Sequence, residues 1–164
     1  MSSCDRCKIK GICMINLNEL KGHECTLEER IKELQGEILR DGILKKPIVV
    51  DKATLVILDG HHRVEVLKRL GCKKIPAVLV DYRDPNIMVL PWRKGEKVSK
   101  SKVIEAALSK MKLPPKTTMH MVVVGEGLKH IEYIQPRVDL PLNQLKREDV
   151  EISLLKASRV KHDG

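Results

Sequence analysis

"LVILDGHHRVEVLKRLG", residues 55–71, decides how the rest of the sequence is interpreted. An apolar strand pattern runs into an Asp-Gly dipeptide, which predicts a turn, and a helical pattern follows it directly. The first turn of a helix carries unpaired backbone N–H groups and the positive end of the helix dipole. Two histidines and an arginine at this point add to the positive charge, so the stretch predicts a cationic site for an anion, most often a phosphate. The residues of this predicted phosphate site are Asp59, Gly60, His61, His62 and Arg63.

Strand patterns flank this stretch on both sides. Residues 47–50 and 54–58 predict two strands that are joined at Asp51-Lys52-Ala53 as a hairpin. Residues 75–82 form a continuous apolar run bounded by turn signals, which predicts a buried strand. The remaining predicted strands are residues 12–17 and 117–124. Strands and helices mixed at this short spacing predict one compact α/β or α+β domain.

Two further helices are predicted. In "TLEER", residues 26–30, Thr26 is the expected N-cap and Glu29 reaches back to it, and Gly42 ends that helix. Pro114-Pro115 is expected to stop the second helix. The apolar faces are predicted to be Leu27, Ile31, Leu34 and Ile38 in the first helix and Ile104, Ala107, Leu108 and Met111 in the second.

The composition limits the class of protein. The 164 residues suffice for one domain, and since the chain has no Phe, one Trp and two Tyr, its core must be aliphatic. No apolar run approaches the roughly 18 residues of a membrane span, and the N-terminus has no apolar signal region, so we expect a cytoplasmic protein.

The charge balance is basic. The net charge is +9, and residues 93–116 carry eight Lys or Arg against two acidic residues. Such an excess suits phosphorylated partners, either nucleotides or nucleic acid. The alternative is a Lys- and Glu-rich surface of the kind found in thermophile proteins.

Four of the five cysteines lie within the first 25 residues, with the spacing C-x₂-C-x₅-C-x₁₁-C. In a reducing compartment this pattern predicts a metal site, with Zn²⁺ or an iron–sulfur cluster such as [4Fe-4S] as the occupant. Disulfides and unliganded thiols are the alternatives. The predicted ligands are Cys4, Cys7, Cys13 and Cys25, and residues 1–25 are expected to form a segment attached to a domain at 26–164. Cys72 is expected to be a small core residue.

"ILDGHHR" followed by a helix and then "GCKKIPAVLVDY" resembles the fold shared by ParB N-terminal domains and sulfiredoxin. The resemblance implies a compact α+β (mixed α/β) domain with a small mixed sheet flanked by helices. It also implies that the junction between strand and helix holds nucleotide phosphates. Sulfiredoxin chemistry is disfavoured, since the required Gly-Cys-His-Arg string is here Gly60-His61-His62-Arg63.

"LNELKGHE", "LPW" and "PPKTTMH" narrow the resemblance to archaeal free serine kinases, in which an ADP-dependent enzyme converts L-serine to O-phosphoserine. The resemblance implies a nucleotide such as ADP or ATP with Mg²⁺, a small amino-acid substrate and a place in cysteine biosynthesis. It implies Glu24 as the general base and residues 59–63 at the nucleotide. The substrate residues that it implies are Trp92, Lys116, Thr117, Thr118 and His120.

The residue types suit this chemistry. A serine hydroxyl is a poor nucleophile, and a positioned carboxylate can take its proton as it attacks phosphorus. Phosphoryl transfer otherwise depends on positioning and on neutralising charge. The sequence departs from the resemblance at Met119, where those kinases have Arg, and in the shorter stretch between Trp92 and Lys116.

Several alternatives stay open at this point. A ParB-like nucleotide-dependent DNA-binding or regulatory protein is the second function that we consider, and the basic stretch favours it. For the kinase, the phosphate donor can be ADP, ATP or pyrophosphate, and the acceptor and the oligomeric state are not fixed. Trp92 can pack in the core or wall a ligand pocket.

Overall fold

A computed structural model describes residues 11–147 of the chain. Nine strands and four α-helices lie within that range. The strands are β1 (Ile12–Asn16), β2 (Ile43–Leu44), β3 (Ile48–Asp51), β4 (Ile57–Asp59), β5 (Lys74–Val80), β6 (Ile87–Pro91), β7 (Thr118–Val124), β8 (Gly127–His130) and β9 (Leu140–Pro141). The helices are α1 (Glu28–Asp41), α2 (His61–Arg69), α3 (Lys100–Ser109) and α4 (Leu142–Leu145).

The central element is a four-stranded mixed sheet with the strand order β1-β5-β3-β4. β3 and β5 are parallel, whereas β5 pairs with β1 and β3 pairs with β4 in antiparallel fashion. Successive residues of β3 enter different cores, since Ile48 and Val50 belong to one apolar cluster and Val49 to the other. Both faces of the sheet are therefore covered, which explains why its strands are continuous apolar runs. The predicted α+β fold with a small mixed sheet is confirmed.

The hairpin between β3 and β4 carries the chain to the decisive Asp-Gly turn. The Asp51 carboxylate accepts hydrogen bonds from the Thr54 amide and hydroxyl, at 3.2 and 2.7 Å, and so closes the turn. Leu55 has a φ of 62° within the same turn. Because Thr54 and Leu55 are used in this way, β4 begins only at Ile57 instead of at residue 54.

β1 is an integral part of the main sheet. Each of its five residues pairs with β5, and Cys13, which lies opposite Ala77, is completely buried. The boundary expected at residue 25 therefore does not separate an attached segment from the domain in the described part of the chain. The apolar run from Ile12 onward folds into the sheet because the edge of β5 leaves backbone groups to be paired.

A second, antiparallel sheet with the order β6-β7-β8 was not predicted as a unit. Its central strand β7 alternates, so that Thr118, His120 and Val122 are buried. This alternation carries a threonine and a histidine toward the interior, where they meet the end of β4. β9 and α4 close the fold through the buried Leu140, Leu142 and Leu145.

The start of α1 differs from the expectation. The N-cap is Leu27, whose side chain makes no capping hydrogen bond, so the capping box predicted for Thr26 and Glu29 is wrong. Instead, the Leu27 amide donates to Nε2 of His62 at 3.1 Å. Leu27 is exposed because it lies at the N-cap position. Ile31 and Ile38 are buried, as predicted, and Gly42 ends the helix with a φ of 72°.

The expected face of α3 is partly wrong. The buried residues are Val103, Ala106 and Ala107, whereas Leu108 and Met111 are 54% and 76% exposed. The helix ends at Ser109, before Pro114, because Lys110 adopts the left-handed conformation with a φ of 63°. The amides of Lys110 and Met111 then both donate to the Ala106 carbonyl, which completes the end of the helix.

Residues 11–147 contain no helix with the length and hydropathy that crossing a bilayer requires. Cys72 is buried in the core, as predicted.

Candidate active site

A cavity of about 400 Å³ lies where the start of α2, the segment before α1 and the loop before β7 meet. It gathers residues that are far apart in the sequence, and Trp92, which is half exposed, forms part of its wall. The alternative of a core position for Trp92 is therefore wrong. The predicted site residues that line the cavity are Glu24, Asp59, Gly60, His61, His62, Arg63, Trp92, Lys116, Thr118 and His120.

Thr117 is the exception among the predicted substrate residues. Its hydroxyl donates to the Pro114 carbonyl at 2.6 Å, and its side chain does not line the cavity. The Trp92 amide donates to the Thr117 carbonyl at 3.1 Å. Thr117 thus shapes the loop and holds Trp92. Its predicted contact with substrate stays a prediction, which its position outside the cavity lining does not support.

The start of α2 depends on Gly60. Its φ is 112°, and a Cβ added there would lie 2.3 Å from Cγ2 of Ile48, so no other residue fits without displacing the core. The first hydrogen bond within the helix runs from the Val64 amide to the Gly60 carbonyl, and no side chain among residues 11–147 caps the helix. The amides of residues 61–63 are therefore left for an anion in the cavity.

The two histidines at this start are neutral acceptors, which corrects the predicted cationic role. Nε2 of His61 accepts from the His23 amide, and Nε2 of His62 accepts from the Leu27 amide, both at 3.1 Å. A ring nitrogen that accepts a hydrogen bond carries no proton. Burial lowers the pKa of His61 well below its ordinary value, with smaller effects of His23, His120 and Lys112, and burial also lowers the pKa of His62.

The histidine pair therefore fastens the segment at residues 23–27 onto the start of α2. Arg63 is also occupied within the protein, since it donates to the carbonyls of Lys46 and Pro47 and to the Asp59 carboxylate. The positive end of the site is thus built from backbone amides more than from side chains. Gln135, a buried residue not predicted for the site, donates to the same oxygen of Asp59 at 2.6 Å.

The Glu24 carboxylate is held by three donors. Oε2 accepts from the Lys116 amide at 2.9 Å, and Oε1 accepts from the Thr118 amide at 3.1 Å and from the Thr118 hydroxyl at 2.8 Å. The backbone on either side of Glu24 pairs with Leu113, through the His23 carbonyl and the Cys25 amide. With a side chain 15% exposed, Glu24 is fixed in place and still reaches the cavity.

Three buried side chains behind Glu24 complete the site. Nε2 of His23 lies 3.0 Å from the Thr118 hydroxyl, and Nε2 of His120 lies 2.8 Å from the Tyr82 hydroxyl. Burial lowers the pKa of His23 to about 4, against a smaller opposing effect of the Ile57 backbone. Burial lowers the pKa of His120 to about 3 and raises the pKa of Tyr82. His23 and Tyr82 were not predicted as site residues, although His23 adjoins Glu24.

The remaining wall of the cavity combines cationic and apolar side chains. Arg30 and Lys116 supply positive charge at the surface of the cavity, and Met119 is also part of its lining. The methionine occupies the position at which the resemblance leads one to expect Arg. The cavity therefore offers one carboxylate for proton transfer, unpaired helix amides for phosphates, and two cations for a further anionic group.

Of the four cysteines predicted to bind a metal, two lie within the residues that the structure describes. Cys4 and Cys7 lie outside the described residues. Cys13 is buried in β1, whereas Cys25 is exposed and lines the cavity. Within residues 11–147 no group of three or more His, Cys, Asp or Glu side chains is arranged to hold a metal ion. The N-terminal metal site stays a prediction.

Residues 6–91, just over half of the chain, match the ParB N-terminal domain. Several curated relatives are similar over part of the chain, among them the following three. The ATP-dependent L-serine kinase of Staphylothermus marinus is 36% identical over 85 residues, which are 48% of this chain and 33% of that protein. The ParB-like protein of Sulfolobus acidocaldarius is 39% identical over 80 residues, 49% of this chain and 40% of that protein.

The third relative is the ADP-dependent L-serine kinase of Thermococcus kodakarensis, 30% identical over 95 residues, 56% of this chain and 39% of that protein. The aligned regions thus span 33–40% of the length of these relatives. Among solved structures, a free serine kinase in complex with AMP is similar in fold, with a TM-score of 0.69 at 17% identity, covering 82% of this chain and 93% of that one.

Proposed function

This chain belongs to the ParB N-terminal domain family, and we propose that it is a phosphotransferase that moves a phosphoryl group from a nucleotide to the hydroxyl of free L-serine. The product is O-phosphoserine. Two of the curated relatives named above are L-serine kinases, and one solved structure of the same fold is a free serine kinase in complex with AMP. These names support the choice of reaction and of acceptor.

The single observation that carries the proposal is the position of Glu24. Its carboxylate lines the same cavity as the uncapped start of α2. A general base must lie within hydrogen-bond reach of the hydroxyl that it deprotonates, while the phosphates of the donor must be held in line with that hydroxyl. Both groups line one cavity of about 400 Å³, a volume typical of small-molecule sites, and this supports the arrangement that the reaction requires.

In the proposed reaction, the serine oxygen attacks the terminal phosphorus of the nucleotide. Its proton passes to Oε2 of Glu24, which accepts a single hydrogen bond from the described residues and has a lone pair to spare. A new O–P bond forms as the bond from phosphorus to the leaving nucleotide oxygen breaks. The amides of residues 61–63 stabilise the charge on the phosphate oxygens. Arg30 and Lys116 are placed to bind the serine carboxylate or a phosphate.

Asp59 is the side chain that suits Mg²⁺. Its Oδ2 accepts from Arg63 and Gln135, while no hydrogen bond of the described residues reaches its Oδ1. Mg²⁺ is usually bound through one or two carboxylates together with substrate phosphates and waters. The ion would neutralise charge on the phosphates, and Asp59 would hold it at the start of α2.

The donor is decided by an assay of product. Purified protein is incubated with L-serine, Mg²⁺ and either ADP, ATP or pyrophosphate, and O-phosphoserine is measured by mass spectrometry. We expect product with at least one nucleotide and, from the resemblance, with ADP. Absence of O-phosphoserine with every donor would contradict the proposal.

A ParB-like nucleotide-dependent DNA-binding or regulatory protein is the second candidate. The ParB-like relative supports it, as do the exposed lysines between Arg93 and Lys116. DNA binding through this stretch would weaken steeply as salt rises, because counterions are released from the DNA. Tight, salt-sensitive binding by a protein that makes no O-phosphoserine would favour this alternative.

A further inference from the structure

The Thr118 hydroxyl, which holds Glu24, makes a second hydrogen bond to a buried histidine behind it. The Thr118 hydroxyl lies 2.8 Å from Oε1 of Glu24 and 3.0 Å from Nε2 of His23. His23 is 1% exposed, so its ring does not exchange these contacts for water. Its backbone is also fixed, since its amide donates to His61 and its carbonyl accepts from Leu113.

The direction of both hydrogen bonds follows from counting protons. An ionised carboxylate only accepts, so the single proton of the Thr118 hydroxyl points to Glu24. Oγ1 of Thr118 must then accept from His23, which requires the proton of the neutral imidazole to be on Nε2. Nδ1 then carries no proton, and it has no hydrogen-bond partner among residues 11–147.

From this geometry we propose that His23 is a positioning residue: its Nε2–H fixes the rotation of the Thr118 hydroxyl, and that hydroxyl holds the Glu24 carboxylate at the angle from which it takes the proton of the acceptor. This inference rests on the proposed function, since it assigns a role within that reaction. His23 itself touches neither the acceptor nor the phosphates in the proposed reaction.

The surroundings of His23 keep the ring in this orientation. The His61 ring stands edge-on to it with the centroids 4.6 Å apart, and the His120 ring does so at 5.7 Å. A charged imidazole is disfavoured there by burial, against a smaller opposing effect of the Ile57 backbone. The ring is therefore suited to give a hydrogen bond of fixed direction, and unsuited to receive a proton during the reaction.

The test compares His23→Gln with His23→Leu. The glutamine amide places an N–H donor near the position of Nε2, whereas leucine fills the space without a donor. We expect His23→Leu to lower kcat about 10- to 100-fold, the scale on which small misplacements of a catalytic group act. The KM and the Kd for nucleotide should stay within about twofold, since the hydrogen bond from His23 to the start of α2 comes from its backbone amide, which both variants keep. His23→Gln should recover most of kcat.

Two outcomes would overturn the inference. One is equal kcat in His23→Leu and the unaltered enzyme. The other is an equal loss in both variants together with equal losses in melting temperature, which would indicate a packing role only.

A readout without catalysis separates this inference from the proposed function. ¹⁵N NMR of the His23 ring in the full chain at neutral pH should show the proton on Nε2. A proton on Nδ1, directed to the Ile57 backbone, would overturn the positioning role even in an active enzyme. An inactive protein with the proton on Nε2 would refute the kinase proposal, and with it the catalytic role inferred for His23, while leaving the hydrogen-bond direction established.

Discussion

At the scale of single residues, two neutral histidines hold the segment that carries Glu24 against the start of α2. The adjacent pair His61 and His62 suggests positive charge when the sequence is read alone. In the folded chain each ring accepts a hydrogen bond from a backbone amide of the segment that carries Glu24. The sequence could not reveal this, because the protonation of a histidine depends on burial and on partners that are some 35 residues or more distant.

Gly60 gives the sharpest prediction at this scale. Gly60→Ala places a Cβ 2.3 Å from Cγ2 of Ile48 at a φ of 112°, so we expect a loss of about 2 kcal/mol or more in the free energy of unfolding, together with loss of nucleotide binding. Urea unfolding and calorimetric titration with ADP measure the two effects.

Gly125→Ala is the matched control. Gly125 has a φ of 59°, and no atom lies within 4 Å of its added Cβ, so only the backbone cost of about 1 kcal/mol is expected and nucleotide binding should be kept. Equal losses in the two variants would contradict the packing role assigned to Gly60.

The buried histidines predict a loss of stability in acid. Burial lowers the pKa of His120 to about 3, whereas in the unfolded chain the pKa returns to near 6.5. Between these values the unfolded state binds a proton that the folded state does not, so the free energy of unfolding falls as the pH falls, by up to about 1.4 kcal/mol per pH unit for each such histidine.

His120→Gln isolates this contribution. Glutamine does not titrate, and its amide can still meet the Tyr82 hydroxyl. The slope of unfolding free energy against pH, measured by urea unfolding between pH 4.5 and 6, should drop by about 1.4 kcal/mol per pH unit. An unchanged slope would show that His120 is protonated in the folded protein.

At the scale of elements, most helices and strands were predicted from the sequence, but the start of α1 and the end of α3 were not. The Asp-Gly turn, α2, the buried β5 and the end of α1 at Gly42 all follow from local signals. The start of α1 did not, because the Leu27 amide donates to the His62 ring of α2 and no neighbouring hydroxyl caps the helix. The end of α3 did not either, because a lysine takes the left-handed conformation that usually signals glycine.

Lys110 therefore offers a way to strengthen α3. At a φ of 63°, Lys110→Gly relieves the strain of a Cβ in the left-handed region, and we expect a gain of about 0.5–1 kcal/mol in unfolding free energy. Lys102→Gly, within the same helix, should instead cost about 1 kcal/mol. Chemical denaturation of both variants gives the comparison, and a destabilising Lys110→Gly would contradict this helix ending.

At the scale of the whole molecule, the cavity exists because two sheets and two helix starts converge. Asp59 ends β4 of the mixed sheet and Gly60 follows it. Thr118 and His120 lie in the three-stranded sheet, and Glu24 is positioned by its pairing with Leu113. The sequence predicted the phosphate site at residues 59–63 from its local pattern and the other members of the site through a resemblance, but it did not predict the second sheet that brings them together. Long-range pairing between strands leaves no local pattern, so it could not be predicted from the sequence.

The central claim is that Glu24 acts as the base in a cavity whose phosphate site is independent of it. Measuring kcat for O-phosphoserine formation and the Kd for nucleotide in Glu24→Gln tests this most directly. The account predicts a fall in kcat of roughly 10²- to 10⁴-fold with the nucleotide Kd kept within about threefold. A variant that retains most of its kcat, or that loses nucleotide binding in proportion to activity, would contradict the account.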